Sequence, residues 1–388
     1  MIYLDNAATS WPKPDVVYTT LGSFLQTAGA NPGRSGHRMS VRAAKVVDET
    51  RRKMARLFGL EDPRRVIFAS NATDALNLAI KGILAPGDHA ITTVMEHNSV
   101  RRPLRALEAI GVATTKVRAD GEGFVSPDDI RAAIRPNTRL IAITHASNVN
   151  GAIQPVAEVA SLAREYGILV LVDAAQTAGC MPFSMASLGA DLLALPGHKS
   201  LMGPPGTGVL LIGPRVSPAD LSPVRQGGTG GNSEEDVQPR ELPARYEAGT
   251  LNTVGIAALG AALDVVLDAG VESIAAREGD LTSRLVDGLA SISGVRVLSP
   301  RDPARRAPVV SFTVDGWEPA DFGAALDDAF EVACRTGLHC APEACAALGA
   351  LPGGTIRFSP GYYTTMDDID RAVEAVGELA RAALWSVR

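Results

Sequence analysis

From about residue 64 to 212, short β-branched and aliphatic runs alternate with stretches of helical apolar spacing. The runs are Val66-Ile67-Phe68, Ala90-Ile91-Thr92-Thr93, Leu140-Ile141-Ala142-Ile143, Leu169-Val170-Leu171-Val172, Asp191 to Leu195 and Val209-Leu210-Leu211-Ile212. Such alternation predicts an α/β core, a mostly parallel sheet with helices on both faces. Val41 to Phe58 and Val156 to Tyr166 have helical spacing, and Gly59 reads as the C-terminal cap of the first. A glycine-rich polar stretch at 226–236 then interrupts the pattern and reads as a loop near a site or an interface. After it come a helical segment beginning near Val254, a strand at Val309 to Val314, helices near Ala320 and Asp367, and a strand at Thr355 to Phe358, which predict a smaller α+β unit.

Length and composition narrow the function. The 388 residues exceed one ordinary hydrophobic core, so a large and a smaller domain are expected. A formal net charge of -6 gives no electrostatic footprint for nucleic acid or an anionic membrane, which leaves small molecules as the expected partners. No run approaches the 18 or so apolar residues of a membrane span, and Met1-Ile2-Tyr3-Leu4-Asp5 lacks the basic and apolar regions of a signal peptide. A cytoplasmic location is the expectation. Four cysteines (Cys180, Cys334, Cys340 and Cys345) are too few for a disulfide scaffold and form no C-x-x-C pair, so a functional cysteine would be a reduced thiol and no metal site is expected.

Gly197-His198-Lys199-Ser200 follows an apolar strand and precedes the loop Gly203-Pro204-Pro205-Gly206-Thr207-Gly208. A lysine there would face a cleft. Upstream, Asp173 directly follows another apolar strand, where burying a carboxylate without a partner is costly. Pyridoxal phosphate needs a lysine for its Schiff base and a carboxylate at its pyridine nitrogen, and Lys199 and Asp173 fit those two roles. The plainer reading of Asp173 is a helix cap at a strand-helix turn. Nucleotide binding through the 203–208 loop is excluded by the lack of a G-x-x-x-x-G-K-[ST] pattern.

Together with Tyr3-Leu4-Asp5-Asn6-Ala7-Ala8-Thr9, Asn31-Pro32-Gly33-Arg34-Ser35-Gly36-His37 and Arg357-Phe358-Ser359, these motifs resemble the class V aminotransferase group of fold-type I pyridoxal-phosphate enzymes, and within it the cysteine desulfurases and selenocysteine lyases. The resemblance covers nearly the whole chain. It implies a large domain over 15–255 and a small domain made of 1–14 and 256–388. It implies pyridoxal 5′-phosphate as the cofactor, with Ala72, Thr73 and His198 at the phosphate, His97 stacked on the ring, Asn148 and Gln176 at the ring hydroxyl, Asp173 at the ring nitrogen and Lys199 as the attachment point. Arg357 and Asn31 would meet the substrate, Arg357 as a bidentate carboxylate clamp. Thr250 would reach the phosphate of a neighbouring subunit, which implies a homodimer. Pro196 departs from the pattern, which carries serine or threonine there, and implies one lost or replaced phosphate hydrogen bond.

Arg335-Thr336-Gly337-Leu338-His339-Cys340-Ala341 separates a desulfurase from its relatives. Cys340 would attack the substrate sulfur and leave as a persulfide, with L-alanine released from L-cysteine and the sulfur passed to a protein acceptor. His339 and Arg335 are the candidates to favour its thiolate. Cys345 is a weaker candidate for a second thiol. The competing expectations are a selenocysteine lyase or carbon-sulfur lyase without persulfide transfer and, from another class, a non-catalytic sulfur-relay or scaffold protein.

Overall fold

The computed structural model describes residues 1–33, 35–231 and 234–386. Arg34 of the Asn31–His37 stretch, and Asn232 and Ser233 of the glycine-rich stretch, lie outside the described residues. The chain opens with strand β1 (Ile2–Tyr3) and the helices Asp15–Ala28 and Arg38–Leu57. Seven strands follow: β2 (Val66–Ala69), β3 (His89–Thr93), β4 (Ala113–Val117), β5 (Thr138–Thr144), β6 (Leu169–Asp173), β7 (Leu192–Pro196) and β8 (Gly208–Ile212). They form one sheet in the order β2-β8-β7-β6-β5-β3-β4, with β8 antiparallel to both neighbours and the other pairings parallel.

The uninterrupted apolar character of β6 has a direct cause. Val170 and Val172 pack into the core on one face of the sheet, Leu169 and Leu171 into the core on the other. Both faces are covered by helices, so no position alternates to water. Each such side chain contributes roughly 1.5–3 kcal/mol on burial. Charged groups at the ends of these strands are therefore held by a frame that resists displacement.

Among the described residues, the remaining strands are β9 (Val295–Val297), β10 (Val310–Val314), β11 (Val332–Ala333), β12 (Arg335–Gly337) and β13 (Thr355–Phe358). β12-β13-β10-β9 is an antiparallel sheet, while β11 pairs in parallel with β1. Ile2 and Leu4 thus join the same core as Phe312, Phe322, Phe358 and Ile369. The helical segment expected from Val254 is two helices, Thr253–Ala269 and Val271–Ala290, broken at Gly270, whose φ of 78° is a left-handed value that favours glycine. Among the described residues no single helix is long and apolar enough to cross a membrane.

Candidate active site

The parallel strands of the large sheet deliver their carboxyl ends to one edge, where open α/β sheets bind ligands. Ala72 and Thr73 follow β2, His97 follows β3, Asn148 follows β5, Asp173 ends β6, and His198 and Lys199 follow β7. All seven, with Gln176 and Arg357, line one cavity of about 210 Å³. Pro196, Ser99, Ala7, Ala8, Arg335 and His339 also line it.

Lys199 and Asp173 set the chemistry. Asp173 is buried, and its side chain accepts a hydrogen bond from Ala175 N at 3.0 Å. Burial pushes its carboxyl above the usual range, against the Ala175 hydrogen bond and the Lys199 charge. Lys199 opens on the cavity but is otherwise enclosed by protein, and burial lowers its amine to about 8, opposed by Asp173. Among the described residues, no ion pair within 4.0 Å joins these opposite charges. Two desolvated groups of opposite charge type that face one cavity without touching suit a group bound between them.

Another part of the lining suits an anion. Asn71 caps the helix Ala72–Ile83 by accepting from Asp74 N at 2.9 Å. The N–H groups of Ala72 and Thr73, in the first turn, have no intrahelical acceptor, which suits this part of the lining to an anion. Thr73 Oγ1 bonds to Ser99 Oγ at 2.7 Å, and Ser99 Oγ bonds to His97 Nδ1 at 2.8 Å. His97 Nδ1 also accepts from Ser99 N at 3.1 Å, which assigns the imidazole proton to Nε2. Burial first, then Lys199, Arg335, Arg102 and Arg357, lower His97 to about 4, so it is neutral. His198 is also lowered to about 4, by burial and then by Lys199 and Lys13, and its Nδ1 lies 3.1 Å from Thr9 Oγ1. Ser99 Oγ thereby ties Thr73 to His97, a link with no signal in the sequence beyond a polar residue two after His97.

Asn148 and Gln176 line the cavity, but their amide nitrogens donate elsewhere, to His339 O at 2.7 Å and Ala7 O at 3.3 Å. Arg357, in the middle of β13, is 1% exposed. It donates to Asn148 O at 2.9 Å and Asp5 Oδ1 at 2.8 Å, and among the described residues its Nε has no partner. The guanidinium therefore already carries an internal carboxylate, and its wholly unpaired nitrogen, Nε, is the first donor left for another group.

Cys340 is exposed, and Arg335 Nη2 lies 3.5 Å from its Sγ. His339 does not share that role. It is 2% exposed, its Nε2 is bonded to Thr355 Oγ1 at 2.8 Å, and burial followed by Arg357 and Arg335 lowers it to about 3. The reason is backbone geometry. His339 and Cys340 both adopt left-handed φ, 50° and 59°, which sends the imidazole inward and the thiol outward. Bonds from Asn148 to His339 O and from Asn98 N to Cys340 O, at 2.7 and 2.8 Å, hold this costly arrangement. Cys345 is buried with its thiol pushed up to about 11, and Cys334 is pushed up to about 12, so both suit packing and not chemistry. Asn31 and Thr250 do not line this cavity. Both are exposed; Asn31, whose carbonyl is tied to Ser40 Oγ at 2.8 Å, lines a separate hollow with Gly249 and Leu251, the neighbours of Thr250.

The class-V aminotransferase family model matches residues 2–372. A probable cysteine desulfurase of Methanothermobacter thermautotrophicus is 34% identical over 98% of this chain and 94% of its own length. One from Halalkalibacterium halodurans is 33% identical over 95% and 91%. Among solved structures, the apo form of a cysteine desulfurase from Thermococcus onnurineus superposes with a TM-score of 0.92 at 33% identity, covering 98% of this chain and 95% of that one. A cysteine desulfurase of Escherichia coli in an S-sulfonic acid form gives 0.87 at 29%, covering 98% and 94%. The chain belongs to the class-V aminotransferase family and, within it, to the cysteine desulfurases.

Proposed function

We propose that the cavity between Lys199 and Asp173 holds the pyridoxal 5′-phosphate of this cysteine desulfurase, and that Cys340 receives the sulfur of L-cysteine as the substrate becomes L-alanine. The observation that carries this reading is the pair of opposite charges facing one cavity without contact. Asp173 would meet the ring nitrogen, the amides of Ala72 and Thr73 with His198 the phosphate, and His97 the ring face. Asn148 and Gln176 suit the ring hydroxyl through their amide oxygens. When bound, the cofactor supplies an electron sink for the pair left behind as the substrate loses its α-proton.

The protein's own groups then divide the work. An amine lowered to about 8 has more neutral base near pH 7 than an ordinary lysine, which suits Lys199 to take the α-proton. His97, neutral with its proton on Nε2, donates without adding charge. Arg357 Nε is available to the substrate carboxylate, and the Arg335 guanidinium lies 3.5 Å from Sγ of Cys340, which reacts as the thiolate. That thiolate attacks the substrate Sγ, the Cβ–Sγ bond breaks, the sulfur stays on Cys340 as a persulfide, and Cβ takes a proton. Exposure of Cys340 leaves the persulfide open to an acceptor protein. Thr250, and Asn31 with it, are proposed to act across a homodimer, since both are exposed and away from their own chain's cavity.

Lys199→Ala should abolish the visible absorption of the lysine-bound cofactor. Cys340→Ser should keep that absorption and form no alanine from cysteine under reducing conditions. Full cysteine turnover by Cys340→Ser would replace this reading with elimination by a carbon-sulfur lyase.

A further inference from the structure

We infer that Lys13 is a positioning residue for the lysine turn, its ammonium clamping the His198–Lys199 backbone from the N-terminal segment. His198 O receives Lys13 Nζ at 2.6 Å, Ser10 N at 3.1 Å and Thr9 Oγ1 at 3.1 Å. The single hydroxyl hydrogen of Ser10 has its shorter contact with Lys199 O, at 2.9 Å against 3.3 Å to His198 O. A carbonyl has two lone pairs, so three donors exceed what His198 O can use fully, and the shortest contact is the charged one. On its inner side the same turn is closed by Met202 N to Lys199 O at 2.7 Å and Gly203 N to Gly197 O at 2.8 Å. The peptide that carries Lys199 is thus gripped from two sides, one internal and one supplied by residues 9–13.

Lys13 itself points to this role. It is half-buried, and burial lowers its amine to about 8. Among the described residues no carboxylate lies within 4.0 Å of its nitrogen; the ammonium is directed to His198 O and, at 2.8 Å, to Ser10 Oγ. A lysine serving only solvation would extend to water. The segment it sits on is anchored at its other end, where Tyr3 OH donates to Thr9 O at 2.9 Å and Asp5 pairs with Arg357 at 2.8 Å. One stretch of chain therefore fixes both the lysine turn and the buried arginine.

The inference rests on Lys199 being the catalytic lysine, and its test separates the two claims. Lys13→Met keeps the aliphatic stem and removes the donor; Lys13→Arg keeps a charged donor; Ser10→Ala removes the donor to Lys199 O. In the cofactor-free protein, reductive methylation of Lys199 is measured by peptide mass spectrometry against Lys45, whose side chain is 73% exposed. Lys13→Met should raise Lys199 labelling roughly fivefold and Lys13→Arg should restore protection. In the loaded enzyme, kcat for alanine should fall roughly tenfold in Lys13→Met while KM for cysteine stays within about twofold, because Arg357 is untouched. If Lys13→Met does not fold, Ser10→Ala must show the same pattern at smaller amplitude. Wild-type labelling and kcat in Lys13→Met, equal losses in Lys13→Arg and Lys13→Met, or a silent Ser10→Ala where Lys13→Met fails to fold would each overturn the inference. A wild-type enzyme that forms no alanine would sink the functional reading alone, and the labelling would still decide Lys13.

Discussion

Gly208 opens β8 between Ala69 of β2 and Pro196 of β7, two strands that end at the cavity. A Cβ added there would lie 2.5 Å from Asn71 Cα and 2.6 Å from Asn71 O, where ordinary contact begins at 3.4 Å. Both obstacles are backbone, so in Gly208→Ala the Asn71–Thr73 turn has to move by about 1 Å. Overpacking of this kind costs about 1–3 kcal/mol of stability. The more specific effect falls on the anion wall, because the displaced N–H groups are those assigned to the phosphate. Losing one hydrogen bond to a charged group costs about 1.5–3 kcal/mol, which is roughly 10- to 150-fold in cofactor Kd. The assay is titration of cofactor-free protein with pyridoxal 5′-phosphate, followed by visible absorption, beside the same titration with pyridoxal, which lacks the phosphate. Gly208→Ala should weaken the phosphorylated ligand by that factor and change pyridoxal binding little. Equal weakening of both, or of neither, would refute the assignment of the phosphate to Ala72 and Thr73.

Two further predictions concern pH. In the cofactor-free protein, burial favours the neutral Lys199 amine and lowers it from 10.5 to about 8, so the rate of pyridoxal phosphate capture should rise through about pH 8 and then level. A rise that continues to about pH 10 would mean the amine is solvated like an ordinary lysine. Glu96 is fully buried, and burial raises its carboxyl from 4.5 to about 8 despite hydrogen bonds from Thr93 Oγ1 and Thr144 N. The folded state therefore holds a proton that the unfolded chain releases; stability fully present below 4.5 is lost as pH rises through about 8. Glu96→Gln, measured by denaturant midpoints at both ends of that window, should lose less stability with rising pH than the wild type.

The large sheet was legible because its strands are buried on both faces and so read as unbroken apolar runs, as in Leu169 to Val172. β4 was not, because Ala113–Val117 is a half-exposed edge strand whose Thr and Lys residues give no such run. The helix Asp15–Ala28 escaped for a similar reason, since only Val17, Phe24 and Ala28 of it are buried. At the site, the strand-end residues from Ala72 to Lys199 line one cavity because the parallel strands end on the same edge of the sheet. Sequence adjacency misled at His339: two consecutive left-handed residues turn neighbouring side chains to opposite sides, and nothing in a Leu-His-Cys string marks that. Ser99 and the Asp5 partner of Arg357 were equally invisible, because their roles depend on contacts between segments far apart in the chain.

Sulfur transfer to Cys340 is tested most directly by mass spectrometry of the protein after a single turnover with L-cysteine in the absence of reductant. The expected result is the mass of one added sulfur atom on the peptide carrying Cys340, in step with one alanine formed, and none on the peptides carrying Cys180 or Cys334. Alanine formed with Cys340 unmodified, or the added sulfur found on another cysteine, would contradict it.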